Sequence, residues 1–84
     1  LEDDLLLVFK QSGHTESAHQ HDSDQSLRVL RGSLQLDFGG HVRVVHAGDD
    51  AVVVPAGSKH ATRALAATWL LVQWQRGDRT DSGG

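Results

Sequence analysis

The sequence predicts an all-β domain, a small sandwich or barrel of about seven or eight antiparallel strands. Three observations carry this expectation. Short apolar or alternating runs are separated by turns rich in Gly, Pro and Asp. No helical periodicity persists beyond a turn or two. Paired glycines, Gly39 and Gly40, stand between two alternating segments, as the positive φ angles of a tight hairpin require.

Residues 5–9 (Leu-Leu-Leu-Val-Phe) read as a first strand, ended by the polar stretch around Ser12 and Gly13. Residues 14–25 are strongly polar and read most simply as a solvated loop. A strand follows over 27–31, then a turn at Gly32 and Ser33. Residues 34–38 alternate most cleanly, with Leu34, Leu36 and Phe38 on one face. Past the glycine pair come strands over 41–45 and 51–54, the second stopped by Pro55, which cannot donate to a ladder. His60 opens a segment running to Leu65; residues 61–67 are alanine-rich, but their position between strands favours a strand over a helix. The last strand, 68–75, carries Leu70, Val72 and Trp74 on one face and Trp69 and Leu71 on the other. Burying both faces calls for a partner subunit, so a homodimer is expected.

At 84 residues the chain is expected to form one domain over 1–84, with a core over about 5–76 and a flexible tail over 77–84. So small a domain is marginal unless disulfides, a metal or a partner subunit supplement its core. There are no cysteines, whereas six histidines make a metal worth seeking. Eight basic residues, scattered, against eleven acidic ones give a net charge of -3, which argues against nucleic acid or an anionic membrane as partner. The apolar run at 5–9 is too short for a membrane span and is preceded by acidic Glu2, Asp3 and Asp4. A soluble, cytoplasmic protein is the expectation.

His19 and His21 are two residues apart, which on an extended strand puts both on one face, roughly 6.5 Å apart along the backbone. Gln25, Leu27 and Val29 share their parity, so a strand with its apolar side on the core would aim all of them inward. Buried imidazoles need polar partners, and a metal supplies one to each. A His-x-His pair alone fits two exposed surface histidines equally well. His14 and His41 read as solvated. His46, beside Asp49 and Asp50, fits an aspartate hydrogen bond or simple exposure.

The run from Gly13 through His19, Gln20, His21 and Gln25 to Gly32 closely resembles the first conserved motif of the cupin superfamily, in which a His-x-His pair is followed by a glutamate and a glycine. Pro55, Gly57 and His60 look like the core of the second motif. The resemblance implies an RmlC-like jelly-roll barrel with metal ligands at His19, His21, Gln25 and His60. Three departures stand out: Gln25 replaces the glutamate, Gly48 lies one residue too far before Pro55, and Ala64 stands where the motif has asparagine.

Three imidazoles and an amide are all neutral, so a divalent ion held by them keeps its full charge and attracts an anionic oxygen ligand. Nitrogen and oxygen donors without thiolate suit Fe, Mn, Ni, Co or Zn as the one divalent metal ion. Because histidines ligate only when neutral, metal-linked stability is expected above about pH 6.5 and should fade as they protonate. The resemblance extends to small metal-dependent lyases and isomerases, and the glutamine in place of glutamate is similar to that of small cupins that open unsaturated uronates. This implies a small anionic substrate, a hydroxy or keto acid or a sugar acid. An Fe(II)-dependent dioxygenase and a non-enzymatic metal- or small-ligand-binding module are the alternatives. Arg28, Arg43 and Arg63 are the cations whose orientation would discriminate among them, and Arg63 has parity opposite to His60. No general acid or base stands out; Glu16, Asp22 and Asp24 read as solvated.

Overall fold

The computed structural model describes residues 3–75, with only the backbone of 3, 4 and 75; the expected flexible tail and the last expected core position lie outside them. Eight strands follow in chain order: β1 (Asp3–Lys10), β2 (Thr15–His19), β3 (Gln25–Arg31), β4 (Ser33–Phe38), β5 (His41–His46), β6 (Val52–Val54), β7 (His60–Ala64) and β8 (Thr68–Gln75). They form two four-stranded sheets, ordered β1-β8-β3-β6 and β2-β7-β4-β5. Every pairing is antiparallel. The architecture is the expected cupin-type jelly roll.

Alternation decides what is buried. Leu27 and Val29 of β3, Leu34 and Leu36 of β4, Val45 of β5, Val52 and Val54 of β6 and Leu70 of β8 form one core between the sheets. Each is flanked along its strand by more exposed neighbours, as a period of two demands. The alanine-rich segment behaves as expected: His60 and Ala64 of β7 point inward while Arg63 is exposed.

Turn chemistry sets the register. Phe38 pairs with His41 across the two-residue Gly39–Gly40 loop, where both glycines have positive φ, 56° and 106°. Gly32 carries a second requirement. Its φ is +91°, and a Cβ there would collide with the Ala67 carbonyl oxygen and with Thr68. Thr68, fully buried, uses its hydroxyl to tie this corner: it accepts from the Ser33 amide at 3.2 Å and lies 2.7 Å from the Ala66 carbonyl oxygen.

The polar stretch at 14–25 departs from the expected loop. Its first part pairs as β2, and the single inward-aimed strand from His19 to Gln25 does not exist. β2 and β3 belong to different sheets, and residues 20–24 carry the chain from one to the other. His19 and Gln25 nevertheless line the same space, because the inner faces of both sheets enclose it.

On β8, Leu70, Val72 and Trp74 line that space, whereas Trp69 is exposed and its ring lies 5.0 Å from that of Phe9. Leu5, Leu7, Phe9, Leu30, Val53 and Trp69 leave the outer side of the β1-β8-β3-β6 sheet apolar and exposed. Among the described residues no helix is long and apolar enough to cross a membrane.

Candidate metal centre

His19 and His60 are cross-strand partners on β2 and β7. Their ring centroids are 4.5 Å apart, and that of His21 lies 4.8 Å from His19 and 5.4 Å from His60. One ring nitrogen from each falls within 4.8 Å of the others, a spacing that can close on a single cation. Three sequence-predicted ligands therefore meet. The fourth, Gln25, opens β3 on the opposite sheet and lines the same cavity of about 580 Å³.

In two of the three rings one nitrogen is hydrogen-bonded within the protein. Nδ1 of His19 lies 2.8 Å from the Ser17 carbonyl oxygen, and Nδ1 of His60 lies 3.0 Å from that of Ser58. A carbonyl only accepts, so each Nδ1 must carry the proton, and a neutral ring then bears its lone pair on Nε2. Such an N–H to carbonyl bond fixes tautomer and ring plane as metal-binding histidines need. His60 is 3% exposed, and the Ser58 carbonyl satisfies its Nδ1.

His21 follows the end of β2 and is held through its backbone. The Gly57 amide donates to the His21 carbonyl at 2.8 Å, and the Ala56 amide donates to Asp24 Oδ1 at 2.8 Å. These bonds dock the turn between β6 and β7 onto the loop between β2 and β3, bringing together the two stretches that supply the histidines. Partial burial, reinforced by repulsion from His19 and His60, pushes His21 below the ordinary histidine pKa, while Asp22 and Glu16 oppose this. The neutral, ligating form is thereby favoured.

A β-bulge brings a further residue inward. Glu16 pairs with Thr62 and His19 with His60, so β2 spends three steps where β7 spends two. Glu16 and His19 would lie on opposite faces of a regular strand; the extra residue puts both on the cavity side. Glu16 Oε2 accepts from Lys10 Nζ at 2.9 Å and lies 3.5 Å from His14 Nε2. The hydrogen bond from Lys10 holds the Glu16 carboxyl below its ordinary pKa, against the opposing effect of its partial burial.

Among the described residues Lys10 is the cation that lines the cavity, and sequence reasoning missed it. It ends β1 on the inward face shared with Leu6 and Val8, and it is 8% exposed. Its parity with those residues was the available signal. Arg28, Arg43 and Arg63, weighed as pocket cations, are all exposed and none lines the cavity. His41 is exposed, as expected. His46 is exposed too, with its ring 2.9 Å from Ser33 Oγ, while Asp49 accepts from its backbone amide rather than from the ring.

Comparison with known proteins agrees with this geometry. The model of the cupin domain family matches residues 5–72. Over 63 residues the chain is 35% identical to the uncharacterized protein YdbB of Bacillus subtilis (strain 168), covering 75% of this chain and 54% of that protein. It thus spans about half the length of that curated relative. Among solved structures, KdgF from Halomonas sp. is similar at 28% identity, 89% of this chain and 74% of that one, with a TM-score of 0.73. The DMSP lyase DddQ from Ruegeria pomeroyi DSS-3 is similar at 27% identity, 98% of this chain and 40% of that one, with a TM-score of 0.77. With eight strands in the jelly-roll order, the histidine cluster between the sheets and a family match over most of its length, this chain belongs to the cupin family.

Proposed function

We propose that this cupin binds one divalent metal ion through His19, His21, Gln25 and His60 and acts as a lyase or isomerase on a small hydroxy or keto acid or sugar acid. The observation that carries the reading is the convergence of three histidine nitrogens within 4.8 Å inside a cavity. Two of these rings have Nδ1 committed to carbonyls, which leaves Nε2 for the metal. Gln25 supplies an amide oxygen to the set, so no ligand neutralises the ion. The bound metal would supply Lewis-acid polarisation of a substrate oxygen.

The chain's own residues do the rest. The cavity, about 580 Å³, is walled by apolar side chains such as Leu27, Leu34 and Val72 and has room for a small organic acid. Lys10 and Glu16 line the same cavity as the histidines and offer a polar substrate one charged donor and one charged acceptor. Similarity to a protein named as a lyase supports the reaction class.

The test is a spectroscopic titration of the Co(II)-loaded protein with pyruvate and D-galacturonate. A change in the cobalt bands on adding either acid is the expected result. Stoichiometric cobalt with unchanged bands for both acids would leave the metal-binding module ahead and remove the enzyme reading. A homodimer is part of the same proposal, supported by the apolar outer face that Leu7, Phe9 and Trp69 present on the β1-β8-β3-β6 sheet.

A further inference from the structure

The cavity holds a second polar cluster whose parts are not all partnered within the protein. Lys10 Nζ, on a side chain 9% exposed, donates to Glu16 Oε2 at 2.9 Å. An ammonium has three hydrogens, so donor capacity remains beyond that bond. Both contacts to Glu16, from Lys10 and from His14, fall on Oε2, which leaves Oε1 free to accept. Opposite Glu16 in the β2–β7 ladder stands Thr62, whose hydroxyl oxygen is the one buried side-chain polar atom without a hydrogen-bond partner among the described residues. Lys10, Glu16 and Thr62 all line the cavity that holds the histidines.

A buried hydroxyl without a partner is unfavourable, and the Lys10 ammonium, on a side chain 9% exposed, is short of water for its remaining hydrogens. A ligand reaching this corner would relieve both. Its chemistry follows from the charges. Lys10 is already matched by Glu16, so an incoming carboxylate would gain the ammonium but meet the Glu16 carboxylate. A hydroxyl group can do what neither ion can do alone: accept from Lys10, donate to Glu16, and exchange a bond with Thr62.

Position follows from the register. His60 and Thr62 are successive inward residues of β7, roughly 6.5 Å apart along the strand. An acid whose carboxylate end lies at the histidines would bring hydroxyls on its far end to Lys10, Glu16 and Thr62, a span that suits an extended sugar-acid chain.

We infer that Lys10, Glu16 and Thr62 form a hydroxyl-binding subsite that selects polyhydroxy acids over short acids able to reach only the histidine end. This inference rests on the proposed small-acid reading and adds to it the residues that read the substrate's far end. Lys10 and Thr62 act here as specificity determinants, and the metal ligands are untouched by it.

The experiment is isothermal titration of the Zn-loaded protein with D-gluconate, which has both ends, and with glycolate, which has only the acid end. The wild type is expected to bind gluconate more tightly by about tenfold or more, the scale of hydrogen bonds to charged groups. Lys10→Met should bring gluconate down to the affinity of glycolate and leave glycolate where it was. Thr62→Val, which keeps the shape of the side chain, should lower gluconate affinity several-fold without lowering the melting temperature or the zinc content. Gluconate and glycolate binding equally to the wild type, or a gluconate preference unchanged in Thr62→Val and in a folded Lys10→Met, would overturn the subsite while leaving the acid-binding reading intact. Binding of neither acid to the zinc-loaded wild type would overturn that reading itself, and the subsite with it.

Discussion

Gly57 donates its amide hydrogen to the carbonyl oxygen of His21, 2.8 Å away, and so locks together the two loops that deliver the cavity's histidines. His21 lies beyond the end of β2 and His60 begins β7, so neither strand pairing alone dictates their separation. The loop-to-loop bond does, together with the Ala56 amide donating to Asp24 Oδ1.

Asp24→Ala removes the second of these bonds. It should cost about 1 kcal/mol of stability, the usual net worth of such a bond. Metal affinity should fall by about tenfold, because the loop that carries His21 is then held to the opposite turn by the Gly57 amide alone of these two bonds. Competition with a chromophoric zinc chelator measures the affinity, and denaturant titration of the metal-free protein measures the stability.

Gly32→Ala should be the most damaging glycine substitution among the turns. Gly32 combines a positive φ with a Cβ position filled by Ala67 and Thr68, whereas a Cβ on Gly39 would meet nothing within 4 Å. The prediction is a loss of more than about 2 kcal/mol for Gly32→Ala and about 1 kcal/mol for Gly39→Ala, where only the backbone conformation is strained. Paired urea denaturation curves test the order of the two; equal midpoints would contradict it.

The pH dependence of the metal-free protein follows from His21 and Glu16. The pKa of His21 is lowered on folding, so the unfolded chain binds its proton more readily. The His21 contribution is complete above the ordinary histidine value of about 6.5 and is lost as pH falls toward the lower folded value. Glu16 is also lowered, so its contribution is present above the ordinary carboxylate value of about 4.3 and is lost at more acid pH. Metal-free protein should therefore melt at a lower temperature at pH 5.5 than at pH 7.5. His21→Asn should narrow that gap, and an unchanged gap would show that His21 is not the group responsible. Metal should widen it, because binding also requires neutral histidines.

The outer face of the β1-β8-β3-β6 sheet gives the dimer its test. Leu7 is 56% exposed at the middle of β1, beside Leu71 of β8. Leu7→Lys should shift sedimentation from a dimer to a monomer with little change in the fold, because the side chain faces away from the core. A wild type that sediments as a monomer at tens of micromolar would remove the dimer from the account.

Much of this was legible in the sequence, for identifiable reasons. The Gly39–Gly40 hairpin declared itself because only glycine accepts its two positive φ angles so readily. The alternation of Leu34 and Leu36 marked the core face, and the Gly13-to-Gly32 and Pro55-to-His60 spacings marked the histidines that converge. What was not legible depends on contacts distant in the chain. The extra residue between Glu16 and His19 reverses strand parity, and nothing local announces a bulge in a polar run. Lys10 lies just past the expected end of the first strand, and its partner Glu16, 2.9 Å away, reaches it only through the pairing of β2. The two-faced pattern of β8 was legible, but which face would be left outside depended on which sheet closed over it.

Metal stoichiometry decides whether the three converging histidines hold an ion. Protein purified without a histidine tag, loaded with zinc and dialysed against metal-free buffer at pH 7.5, should carry one zinc per chain by elemental analysis. The same treatment of His60→Ala should leave a small fraction of that amount. A wild type with no zinc above the buffer blank, or a His60→Ala variant that retains a full equivalent, would contradict the account.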